Sequence, residues 1–138
     1  MEVGTQAKLS FKGVDILNVN FNAIAPFRED VSIDVACNPK VFYPKEENNI
    51  FKILMDVEVK DERYFLLNLR AIGHFELEGD IPADMTKNFV NVNAPAIMFP
   101  YVRSFITTLT ANLGSTTGTL VIPPQFFKGD LEELPLES

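Results

Sequence analysis

His74 and Cys37 are the only histidine and the only cysteine in 138 residues, so a Ser-His or Cys-His pair has to be built from them. His74 stands between Gly73 and Phe75 in an apolar, strand-like stretch, and neither Cys37 nor any serine falls in a nucleophile-type motif. A structural or rim histidine is expected, not a catalytic one. One His and one Cys leave a metal only carboxylates to bind, and these are scattered along strand faces as solvated charges are. Gly73, Gly79, Gly114 and Gly118 form no phosphate-cradling loop. No catalytic residue, metal or cofactor is expected. What remains is surface.

The formal net charge is −7 with no Lys/Arg stripe to offset it, a balance that repels nucleic-acid phosphate and favours basic partners. A lone thiol allows no intrachain disulfide and fits a reducing compartment. Met1 to Ser10 has no apolar leader core, and no run approaches the ~20 apolar residues of a membrane span. The cytoplasm is the expected location. Phe is abundant, 12 against 3 Tyr and no Trp, enough to crowd one small core. Either all of them sit inside, or some line an interface or a binding surface.

The elements that must carry such a surface begin with strands. Leu17, Val19 and Phe21 alternate with Asn18, Asn20 and Asn22, which predicts a half-buried strand ending near Phe21. Pro26 breaks it. Val31, Ile33 and Val35 predict a second strand, with Asn38-Pro39 and 43–49 as loops around an exposed Val41-Phe42-Tyr43. Ile50 to Lys60 alternates cleanly, and Asp61-Glu62 turns the chain into a long strand over Arg63 to Glu78. That strand is apolar on both sides, which predicts cover on both. Gly73 would mark a bulge or bend. Asp84 is a candidate N-cap for a short helix over Met85 to Val92, and Pro95 can open a second helix reaching Leu113, closed by Gly114. Leu120 to Ile122 is short and apolar, and 128–138 reads as a frayed acidic tail anchored by Leu131 and Leu134. The order, four strands and then helices, predicts an α+β domain: a four-stranded antiparallel sheet with two helices packed on one face.

Ala94-Pro95-Ala96-Ile97-Met98-Phe99-Pro100-Tyr101-Val102-Arg103 resembles the signature of the SecB family of export chaperones, in which Phe-Pro-Tyr-Ala-Arg opens the main helix. Leu120-Val121-Ile122-Pro123-Pro124-Gln125-Phe126, Gly73-His74-Phe75-Glu76-Leu77 and Asn18-Val19-Asn20-Phe21-Asn22 are similar to its other motifs. The resemblance spans about residues 9 to 127 of a single domain. It implies a dimer of dimers, four copies at −7 each, that holds unfolded polypeptides without ATP. It places Leu67, Leu69 and Ala71 on a subunit interface and Val31, Ile33 and Val35 in the client groove. Phe27, Phe42, Tyr43, Phe75, Met98 and Phe126 join that groove on their aromatic or flexible character. In family members that deliver clients to the SecA motor, acids on an exposed sheet face form the dock. The matching positions here are Asn18, Asn22 and Asn68, with Leu66 beside them, and a neutral amide cannot form a charge-assisted pair. SecA is therefore a partner in question. A chaperone dedicated to one client, such as an antitoxin, is the second reading. A structural interaction domain that binds no unfolded chain is the third.

Overall fold

The computed structural model describes residues 7–26, 32–44, 49–125, 127 and 129–135. Its strands are β1 (Lys8–Ala23), β2 (Asp34–Phe42), β3 (Ile50–Asp61), β4 (Phe65–Glu78) and β5 (Glu132–Leu134), in the spatial order β1-β4-β3-β2-β5. The first four pair antiparallel. β5 joins β2 in parallel, so the sheet is five-stranded and mixed.

The period-2 patterning of β3 and β4 determines which side is covered. Phe51, Ile53, Met55, Val57 and Val59 are at most 2% exposed, and the facing Phe75, Ala71, Leu69 and Leu67 of β4 at most 3%. Each fully buried large side chain of this kind stabilises the fold by roughly 1.5–3 kcal/mol. The helix lies on that face. It runs as α1 (Ala83–Asn88), a five-residue π-helical turn (Phe89–Asn93) and α2 (Ala94–Ala111), with no gap between them. Two separate helices were expected, with a break ahead of Pro95. Instead the Ala94 N–H reaches back to the Phe89 carbonyl, and this wider turn accommodates the donor that Pro95 lacks. Pro100 sits exposed inside α2, where water can serve the carbonyl it leaves unbonded. Asp84 falls inside the first turn and caps nothing; Pro82 is the N-cap.

Five rings cross the helix side of the sheet in sequence: Tyr101, Phe11, Phe75, Phe51 and Tyr43, with neighbouring centroids 5.0 to 6.2 Å apart. Every described Phe is buried or half-buried, so the large Phe count goes mainly into packing.

Several local expectations are corrected. The bulges lie on β1, between Phe11 and Gly13 and between Ile16 and Asn18, not at Gly73, which keeps its register with Val14 and Ile53. A Cβ at Gly73 would come within 2.9 Å of Met98 Sδ, so this glycine serves the close approach of α2. Asn38-Pro39 is part of β2, and Val41 is buried in the core. β4 is sealed on one face only. Its other face, with Leu66 and Ile72, is half-exposed in the single chain. The acidic tail, expected to fray, supplies β5.

Candidate functional site

Along β2 the helix-side positions are Val35, Cys37, Pro39 and Val41, in register with Val59, Val57, Met55 and Ile53. Only Val41 is sealed. Val35, Cys37 and Pro39 stay half-buried, as do Ile33 just before the strand and Tyr43 just after it. The row is half-covered because α2 packs against β1 and β4, while β2 lies on the far side of β3, near the sheet margin. Two depressions follow it. One, of about 390 Å³, is lined by Cys37, Pro39, Phe127 and Leu131 among others. The second, of about 170 Å³, lies between Val41 and Tyr43 on one side and Val90 and Asn91 on the other. Burial pushes the Cys37 thiol up to about 12, so it stays protonated and behaves as a small apolar group. Burial, and then Glu133 nearby, raises Tyr43.

The opposite face of the sheet is polar. Asn18 stands opposite Arg70, Asn20 opposite Asn68 and Asn22 opposite Leu66. All four positions expected on a docking face, Asn18, Asn22, Leu66 and Asn68, therefore share the side away from the helix. A shallow depression of about 550 Å³ lies there, with Asn38, Asp56, Glu58 and Arg70 around Asn18 and Asn68. Arg70 donates to Asp56 through Nε and Nη2, at 2.8 and 3.1 Å. Farther along, His74 lies 2.7 Å from Asp15 through Nε2 and 2.6 Å from Lys52 Nζ through Nδ1. An ammonium has only donors, so Nδ1 accepts from Lys52 and the Nε2 proton goes to Asp15. Every ring nitrogen is engaged, as a structural histidine requires. Among the described residues no group of His, Cys, Asp and Glu is arranged to hold a metal ion.

Of the nine groove positions expected from sequence, the structure brings Ile33, Val35 and Tyr43 onto the half-covered margin. Phe42 points to the other face, opposite Lys52. Phe75 and Met98 are 1% and 0% exposed; both belong to the core and line no open groove. Phe27, Val31 and Phe126 lie outside the described residues. Leu67, Leu69 and Ala71 are 0–3% exposed within the single chain, so their side chains have no surface left for a second subunit. Cys37, Pro39 and Leu131 were missed. The first two are legible once Pro39 is allowed in an edge strand, because Val35, residue 37, residue 39 and Val41 then continue one period-2 row.

The family model described as preprotein translocase subunit SecB matches residues 16–124. An uncharacterized protein of Methanocaldococcus jannaschii is 27% identical over 131 residues, covering 90% of this chain and 83% of that one. The protein-export protein SecB of Paraburkholderia phymatum is 27% identical over 105 residues, 62% of this chain and 67% of its own. Among solved structures, the SecB-like chaperone Rv1957 of Mycobacterium tuberculosis, in complex with a ChAD peptide from the HigA1 antitoxin, superposes with a TM-score of 0.67. It is 12% identical, with 85% of this chain and 87% of that one covered. The likeness is one of fold.

Proposed function

The chain belongs to the SecB family of chaperones, and on that footing we propose that it is an ATP-independent holdase that binds unfolded polypeptides along the helix-side margin of β2. It is a chaperone and not an enzyme. The observation that supports the groove is the half-covered apolar row, Ile33, Val35, Cys37 and Tyr43, beside a sealed core. A client laying a few apolar side chains there gains roughly 1.5–3 kcal/mol for each one fully buried. Ordering its backbone consumes about 1–2 kcal/mol per residue. One groove thus binds weakly, and several grooves on an oligomer engaged by one long client bind firmly.

Oligomerisation, as a dimer of dimers, is part of the same reading. Its contact moves from the buried β4 residues to the outer edge of β1, which among the described residues has a strand partner on one side only. Leu17, Val19 and Ile24 along β1 and just after it are 53%, 40% and 60% exposed, an apolar margin that a second copy would cover. Among the described residues no helix is long and apolar enough to cross a membrane, and the cytoplasm is the proposed location.

The client is either a range of pre-secretory chains or one dedicated partner, such as an antitoxin. Neutral Asn18, Asn22 and Asn68 on the open face favour the second, since the SecA dock of the resemblance is built on acids. Light scattering of the purified protein, alone and with a denatured test protein, tests the holdase reading that both share. A multimer that gains mass and suppresses aggregation is expected. A particle that ignores the unfolded chain would leave a structural interaction domain as the surviving reading.

A further inference from the structure

The groove beside β2 is already occupied in part by the chain itself. β5 pairs in parallel with Lys40–Phe42, and the residues leading into it run past the helix. The Phe127 ring meets Phe99 edge to face at 5.9 Å. The Leu131 N–H donates to Asn91 Oδ1 at 2.9 Å, and Lys40 pairs with Glu132 at 3.4 Å. Leu131 lines both depressions described above. An extended segment with its backbone on a strand edge and its apolar side chains against the neighbouring elements is the form in which a sheet margin takes a guest peptide.

We propose that the C-terminal segment is an internal pseudo-client: it fills the β2 groove in the resting chain, and an extended apolar client binds by displacing it. The inference rests on the holdase reading. Its physical basis is the imbalance between what the segment covers and what holds it there. The pairing is three residues long, Glu132 and Glu133 are exposed, and the Asp130–Asn91 contact is solvent-facing. Segments with few buried contacts and exposed hydrogen bonds open most easily. Among the described residues the rest of the β2 edge, from Asp34 to Pro39, has no strand partner on its outer side, so a longer client can pair where β5 does not and then run on into its place.

A full-length protein carrying Lys40→Cys, Glu132→Cys and Cys37→Ser tests this. Positions 40 and 132 are directly opposed, close enough for a disulfide to hold the segment down. Binding of a fluorescent unfolded peptide is expected to be lost in the oxidised protein and restored by reductant. Leu131→Asp in the otherwise unaltered full chain is expected to tighten binding by up to about tenfold, since apparent affinity scales with the open fraction. Equal affinity of oxidised and reduced protein, with the cross-link verified by mass, overturns the displacement and leaves the holdase intact. Absence of binding in the reduced, oxidised and unsubstituted proteins alike overturns the holdase reading and the displacement with it.

Discussion

Asp61 closes β3 with four contacts. Its Oδ1 accepts from the backbone and Nε of Arg63 at 3.0 and 3.1 Å, while Oδ2 accepts from Arg63 and from the Ser32 N–H at 2.9 and 3.2 Å. It thereby ties the β3–β4 turn to the residues entering β2. The Arg63 side chain, aided by the two backbone N–H groups, holds this carboxyl well below the usual carboxylate range against the opposing effect of burial. A lowered folded pKa means that the unfolded chain takes up its proton first, at about 3.9. The contribution is whole above that pH and fades as pH falls below it. Urea midpoints should therefore decline below pH ~4 in the native protein, with a shallower decline in Asp61→Asn, and parallel curves would rule this linkage out. Gly73 is the second residue that decides something. A methyl there meets Met98 Sδ and Phe75 Cε2 at 2.9 Å, so Gly73→Ala should cost about 1–3 kcal/mol by overpacking. The same substitution should cost less in a Met98→Ala background, a coupling that denaturant titration of the four proteins measures.

At the scale of elements, the segment after α2 is held by hydroxyls and carbonyls, not by a sheet. Thr110 Oγ1 accepts the Leu120 N–H at 2.9 Å and donates to the Ile106 carbonyl at 2.8 Å. Thr107 donates to the Leu120 carbonyl and Arg103 to that of Ile122. Leu120 and Ile122 turn inward while Val121 is 70% exposed. Thr110→Val keeps the shape and strands a buried N–H, so a loss of about 1–3 kcal/mol is expected, read by thermal or urea unfolding. That network was not legible in sequence, because Thr at 110 fits the helical pattern whether or not its hydroxyl has work. β3 was legible, since ten residues of strict alternation leave one reading; β4 was legible as a strand, but Leu66 and Ile72 on its second face suggested a cover that the single chain does not supply. β1 was legible except at Leu17, where an apolar residue in phase with Val19 hides a bulge that turns it outward. Pro39 concealed half of β2 because proline in a strand is permitted only at an edge, and edges are a property of the finished sheet. β5 was invisible: Glu-Glu-Leu has no strand propensity, and only the neighbouring β2 edge makes it one. The candidate groove shares this limit. Ile33 and Val35 entered it through the family resemblance, and Phe75 and Met98 on side-chain character alone, which cannot separate groove from core without knowing where α2 lies.

For the whole molecule, the two faces of one sheet differ in chemistry, a half-covered apolar row on the helix side and a polar open face behind it, and the proposed reading gives each its own partner. Asn18 and Asn22 are exposed and Asn68 half-buried; Asn18 and Asn68 line one depression, and Asn22 lies farther along the same face, opposite Leu66. In the proposed reading the acids of a dock are replaced here by amides of nearly the same shape. That makes a gain-of-function test possible without disturbing the fold. Asn18→Asp, Asn22→Asp and Asn68→Asp together should give SecA an anionic patch, and hydrogen bonds to charged groups contribute about 1.5–3 kcal/mol each once an interface excludes water. Exposed pairs contribute only 0–1 kcal/mol each, so three together reach about 3 kcal/mol at most, and only a rise in SecA affinity beyond about 150-fold would mean that a pair is desolvated on binding. Net charge alone must be separated from position. Ala96→Asp, Ser104→Asp and Ser115→Asp add the same three charges at exposed sites off this face, and they should leave SecA binding unchanged. Calorimetry on the native protein and the two triple variants distinguishes the cases. Equal gains in both variants would reduce the open face to a diffuse charge effect, and no gain in either would show that the dock needs more than its acids restored.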